Sequence, residues 1–183
     1  MNCQNCGAPM KFDQEKVYFV CEYCTSIFLP EESRDGIRIT DEETELSCPL
    51  CNIPLVLAFA DKTHVFSCHK CHGILINQYK FLEVIQYIRS KSKELPSTPP
   101  PMRLEELERK ILCPKCHRRM DTHPYGGPGN IVIDNCPLCL LNWLDHNELY
   151  RVTHAPDRAA REDDVREFYK RLFKSSKRKS NDW

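Results

Sequence analysis

Cys48-Pro49-Leu50-Cys51 is answered by Cys68-His69-Lys70-Cys71, and the two pairs bracket a stretch that reads as a two-stranded hairpin. Residues 55–60 form an apolar run, residues 61–64 a polar turn, and Val65-Phe66-Ser67 the return strand, which satisfies the strand and turn signals of a hairpin. The pattern recurs on both sides. Cys3 and Cys6 face Cys21 and Cys24; Cys113 and Cys116 face Cys136 and Cys139. All 12 cysteines are used, in six C-x-x-C pairs. Each pair offers two sulfurs from one tight knuckle. Two facing knuckles offer four thiolates at tetrahedral angles, the closed set of a structural zinc site. The stretches between the inner cysteines are 14, 16 and 19 residues long, in or near the spacing of four-cysteine zinc sites. Three Zn2+ per chain are therefore expected. Iron in the same tetrahedral sulfur geometry stays open, because ligand type does not fix the metal.

Two other uses of the cysteines compete with this one. A disulfide framework suits secreted chains. The N-terminal residues carry no basic region and no apolar run, so no signal peptide is read there. No stretch is apolar enough for a membrane span. A reducing, cytoplasmic setting is expected, where the same spacing favours metal. Cys68-x-x-Cys71-His72 and Cys113-x-x-Cys116-His117 match the haem attachment string. That reading leaves the partner knuckles unexplained.

The chain has 183 residues, 41% of them hydrophobic, and 26 basic residues balance 26 acidic ones. Net neutrality argues against a globally basic nucleic-acid binder. Charge is uneven, however: residues 31–45 hold seven acidic and two basic side chains, and residues 157–183 nine basic and six acidic. Units of about 30 residues bury little apolar surface and normally need a staple. Structural zinc contributes about 10–16 kcal/mol in finger peptides. The metal is thus expected to hold each module.

The expected fold class is small zinc-stapled α+β: three tandem zinc ribbons, each a β-hairpin with two knuckles, the second and third followed by helices. Ribbon one covers 1–30, with Cys6-Gly7 as a knuckle turn and Val17-Tyr18-Phe19-Val20 as a strand. Residues 31–47, acidic and without apolar period, read as a linker. Ribbon two covers 48–95, where Asn77 is a candidate N-cap for a helix with Phe81, Leu82, Ile85 and Ile88 on one face. Residues 96–101, PSTPPP, read as an extended spacer. Residues 102–155 give a short helix with Leu104, Leu107 and Ile111 on one side, then ribbon three. In it Ile131-Val132-Ile133 is the return strand, and Asp145 with Glu148 forms a capping box for a helix carrying Leu149, Tyr150 and Val152. In residues 156–183, Val165, Phe168, Tyr169, Leu172 and Phe173 fall at amphipathic-helix spacing. A basic tail follows, with Lys174, Lys177, Arg178 and Lys179.

The repeat can be aligned on its last cysteines, Cys24, Cys71 and Cys139. Phe28, Leu75 and Trp143 then coincide, as do Leu29, Ile76 and Leu144; Asn77 falls on Asp145 and Phe81 on Leu149. Cys113-Pro114-x-Cys116, Cys136-Pro137-x-Cys139 and Trp143-Leu144-Asp145-x-x-Glu148-Leu149 resemble the zinc-ribbon family of the transcription factor IIB type. Leu141 stands where that family prefers glycine. Ribbon two keeps Cys48-Pro49 and Gly73, and ribbon one shares the cysteines and Phe28-Leu29. The resemblance implies zinc at the cysteines and a ribbon fold, and little about activity.

Four cysteines per metal leave no open coordination position, which catalytic zinc requires. No phosphate loop or His/carboxylate zinc motif is present. His69, His72 and His117 lie beside knuckles whose cysteines already suffice. The chain is therefore expected to be no enzyme but an interaction or adaptor protein. Its ribbons would present surfaces to a protein or ribonucleoprotein, through the C-terminal helix, in transcription or translation. A redox- or zinc-responsive regulator is the first alternative, with thiol oxidation releasing the metal. Direct nucleic-acid binding through the basic tail is the second.

Overall fold

A computed structural model describes residues 1–13 and 15–156. The expected C-terminal helix and basic tail lie outside the described residues. Two antiparallel sheets organise the chain. The first holds β1 (Lys11–Asp13), β2 (Tyr18–Val20) and β3 (Ile27–Phe28) in that order. The second contains β4 (Arg38–Ser47), β5 (Pro54–Ala60), β6 (Thr63–Ser67) and β7 (Ile74–Asn77), then β8 (Asp121–Pro124), β9 (Val132–Cys136) and β10 (Leu141–Leu144). Its order is β4-β5-β6-β7-β10-β9-β8. Helices α1 (Gln78–Lys91) and α2 (Glu148–His154) follow β7 and β10.

Ribbons two and three are therefore halves of one sheet, joined where β7 pairs with β10. In that seam Trp143 lies opposite Leu75, Asn142 opposite Ile76 and Leu144 opposite Ile74. Leu75 and Trp143 are also equivalent positions of the repeat. A local two-fold axis consequently runs between them and relates hairpin to hairpin and helix to helix.

Both faces of the sheet are covered. On one, Ala58, Val65, Ile74, Ile76, Ile133 and Leu144 pack with Phe81, Ile85 and Ile88 of α1 and Leu149 and Val152 of α2. On the other, Leu55, Leu75 and Trp143 pack with cysteines of the second and third ribbons and with Ile111 and Met120. The expectation that metal is the main reason each small module folds is thus corrected for these two, which share an apolar interior. Ribbon one docks through Phe12, whose ring centroid lies 5.1 Å from that of Phe59 on β5. Val17 and Leu57 complete this contact.

The acidic linker expected at 31–47 is corrected: most of it is β4, an edge strand. Its apolar period is broken by register shifts between Ile39, Glu43 and Ser47. There the hydroxyls of Thr40 and Thr44 donate to the carbonyls of Leu57 and Leu55, both at 2.8 Å. Asp41, Glu42, Glu43 and Glu45 face solvent, and charge on an exposed edge discourages pairing with another strand.

Asn77 caps α1 as expected, its side chain accepting from the Tyr79 N–H at 2.9 Å. Leu82, expected on the apolar face, is exposed, and Val84 takes the buried place. The expected helix over 103–112 is only a 3-10 turn at Leu104–Glu108 with no buried residue. Leu104 is exposed, while Ile111 beyond the turn is buried. The proline stretch is held to α2. The Ser97 N–H donates to the His154 carbonyl at 2.9 Å, and Arg151 donates to the Pro100 carbonyl at 3.2 Å.

Candidate metal centres

Each knuckle is the same turn. The residue after its second cysteine has a left-handed backbone: Gly7 (φ 76°), Thr25 (59°), Asn52 (55°), His72 (56°), His117 (57°) and Leu140 (56°). The N–H of that residue donates to the carbonyl of the first cysteine at 2.8–2.9 Å in all six. In five knuckles the first cysteine's own N–H closes the turn from the other side: Cys3 to Ala8, Cys21 to Ser26, Cys48 to Ile53, Cys68 to Gly73 and Cys113 to Arg118. Two cysteines of one pair are thereby forced to present sulfur on the same side.

The sulfurs meet in three groups: Cys3, Cys6, Cys21 and Cys24; Cys48, Cys51, Cys68 and Cys71; Cys113, Cys116, Cys136 and Cys139. Within each, all sulfurs lie within 4.8 Å of one another. The close pairs are Cys3–Cys24 and Cys6–Cys21 at 3.5 Å, Cys48–Cys71 at 3.6 Å and Cys116–Cys136 at 3.7 Å. A disulfide needs about 2.05 Å. A tetrahedron with metal–sulfur bonds of about 2.3 Å has edges of about 3.8 Å, so these spacings fit an ion at the centre. Backbone N–H groups also aim at sulfur, from Cys51 to Cys48 at 3.3 Å and from Cys139 to Cys136 at 3.4 Å. Such donors favour thiolate over thiol. All twelve expected ligands are thus assembled for metal. His69, His72 and His117 join none of the three groups.

Protons would divide unequally among sulfurs so close together. The Ser26 hydroxyl, 3.1 Å away, pulls the Cys24 thiol down to about 6. A backbone hydrogen bond at Arg118 brings Cys116 down to about 7. Burial pushes Cys48 up to about 11 and Cys139 up to about 12. A bound ion replaces the protons of the reluctant thiols, so acid and metal compete for each site.

Sequence reasoning missed what supports the third centre. Arg109, in the stretch expected to be helical, inserts between the carboxylates of Asp134 and Asp145. Asp134 is fully buried and accepts also from the Thr122 hydroxyl. Asp145 accepts from the Trp143 indole at 3.0 Å. The expected capping box is only half made. Glu148 accepts from the Asp145 N–H at 2.7 Å, but the Asp145 side chain does not cap the helix in return. Glu148 is buried, and burial lifts its carboxyl to about 8. Gly73 has a steric cause: a Cβ there would lie 2.2 Å from the Trp143 ring. Only the Trp-Leu-Asp-x-x-Glu string hinted at this network.

None of the family models, curated proteins or solved structures compared with the chain matches it. No helix of the described residues is long and apolar enough to cross a membrane.

Proposed function

We propose that the chain is a zinc-binding interaction module of the transcription factor IIB ribbon type. In this reading three structural Zn(Cys)4 centres stiffen surfaces that meet a protein or ribonucleoprotein partner. One observation carries the proposal: each cluster is closed by four sulfurs of its own. An ion held so has no position left for a substrate, and catalysis forms no part of the reading. The contact expected for Val165, Phe168, Tyr169, Leu172 and Phe173, and for the tail lysines and arginine, rests on their spacing alone.

Native mass spectrometry of the purified chain tests the metal: three zinc ions are expected, and a coloured, iron-loaded protein would contradict zinc. Pull-down with and without residues 165–183 tests the partner. Equal recovery would remove the C-terminal segment from the interface.

A second reading, zinc release on thiol oxidation, has one observation in its favour. Cys6 is the one exposed cysteine of the twelve, which makes the first centre the most open to an oxidant. Mild peroxide should then release one ion before the other two. Simultaneous release, or none, speaks against it.

A further inference from the structure

A groove of about 510 Å³ lies between the knuckles of ribbon two and the start of α2, lined among others by Leu50, Cys71, Pro100, Arg103, His146 and Arg151. Its volume is within the range of small-ligand sites, roughly 300–1,000 Å³. Arg34 and Tyr150 line it too, and the Arg34 guanidinium lies over the Tyr150 ring, 4.5 Å from its centroid. The other partner of that ring is His154, stacked at 4.0 Å and 18°. The guanidinium is thus the outermost layer of a three-part stack. His146 pairs with His72 at 5.2 Å, so a second π surface stands beside the first.

Charge follows the same wall. Arg34 and Arg103 are exposed. Among the described residues the Arg103 side chain pairs with Glu106 at a long 3.5 Å and stays 73% exposed. Arg151 is turned inward to backbone carbonyls of the proline stretch and of Gly129 and shapes the wall. The lining carboxylate, Asp145, is already engaged by Arg109 and the Trp143 indole. Asp35 lies buried beneath, accepting from the Tyr150 N–H at 3.3 Å.

We propose that this groove binds single-stranded nucleic acid, with Arg34, Arg103 and His146 meeting phosphates and the outer face of Arg34 stacking on a base. Cations beside flat guanidinium and aromatic faces are the chemistry of such sites. A duplex offers no free base face to the stack. An acidic peptide would satisfy the cations and leave the stack unused. The inference deepens the interaction-module reading and rests on it: the groove names one ligand that the metal-stiffened ribbons would meet.

The test is fluorescence anisotropy on the full, zinc-loaded chain with labelled RNA and DNA strands of about 10 nucleotides, over a salt series. The Arg34→Glu/Arg103→Glu pair should weaken binding by about tenfold or more. It should also flatten the salt dependence by about 0.7 for each phosphate no longer neutralised. The milder Arg34→Gln/Arg103→Gln pair covers any folding defect of the first. Stronger RNA than DNA binding, or the reverse, supports the groove equally and tells which strand it takes. No binding by the loaded wild-type chain overturns the proposal. So does binding that survives both pairs and is abolished by glutamates at Lys174, Lys177, Arg178 and Lys179. A glutamate-rich peptide held as tightly as RNA through the same arginines overturns it in favour of an acidic protein. Loss of metal from the variants with unchanged RNA affinity of the loaded fraction also overturns it, because the arginines would then only offset thiolate charge. Failure in any of these ways, with three ions still bound and a partner still recovered by pull-down, leaves the interaction-module reading standing.

Discussion

At the scale of single residues, the knuckles and the third ribbon's carboxylates carry opposite kinds of strain. Thr25 is β-branched, exposed and held at φ 59°, a conformation that suits glycine and disfavours branched side chains. Thr25→Gly should therefore stabilise the first ribbon by roughly 1 kcal/mol, less the hydroxyl's bond to the Cys24 carbonyl. Thermal unfolding at saturating zinc measures it, and a lowered midpoint would show that the backbone there is not strained. Glu148 stores its strain as a proton. Burial outweighs the two N–H groups, of Asp145 and Val132, that its oxygens accept. Its carboxyl titrates near 8 in the fold and near about 4.3 in an unfolded chain. Between these values the fold binds the proton more tightly, so this residue's contribution to stability falls as pH rises through the window and levels off above it. Glu148→Gln should flatten that decline by on the order of a few kcal/mol while losing one hydrogen bond. Paired denaturant curves at pH 5 to 9, each with excess zinc, read the difference; parallel slopes would place the proton elsewhere.

At the scale of elements, the seam between β7 and β10 decides the fold, and Gly73 decides the seam. A methyl group there would collide with the Trp143 ring. Gly73→Ala should cost about 1–3 kcal/mol through overpacking, seen as a lower denaturant midpoint and altered tryptophan fluorescence. The hairpin of ribbon two was legible because residues 55–60 are apolar without break and residues 61–64 are polar, although the turn is confined to Asp61-Lys62 and β6 already begins at Thr63. The three groups of four cysteines were legible from spacing. β4 was not, because the threonine hydroxyls at positions 40 and 44 bend it out of register, and its outward side chains are carboxylates. The short helix expected over 103–112 fails for a different reason. Leu104 and Ile111 fit a helical period, yet burying Arg109 between two aspartates requires extended chain on its C-terminal side. The union of ribbons two and three was equally hidden: β7 carries Ile74, Leu75 and Ile76 in succession, which marks burial on both faces and names no partner strand.

For the whole molecule, shared structure predicts shared failure. Cys51→Ser opens the second centre, whose Cys48 and Cys68 lie in the same apolar cluster as Cys113 and Cys136 of the third. Its unfolding should draw the third ribbon with it. Cys6→Ser opens the first centre, which touches the large sheet through Phe12, Val17 and their neighbours. Native mass spectrometry should find two ions retained in the Cys6 variant and fewer than two in the Cys51 variant. Amide exchange should report an intact seven-stranded sheet only in the former. Equal behaviour of the two variants would mean that the ribbons melt as independent beads.

The axis between Leu75 and Trp143 has a last consequence. A fragment holding only ribbon two and its helix would be left with an open β7 edge, whose natural complement has nearly its own shape. Two copies could close that edge with Leu75 against Leu75, at the cost of a void where the indole belongs. Separated from its neighbour, half of this chain should therefore behave as a weak homodimer, and the intact chain as that dimer made permanent by a peptide bond.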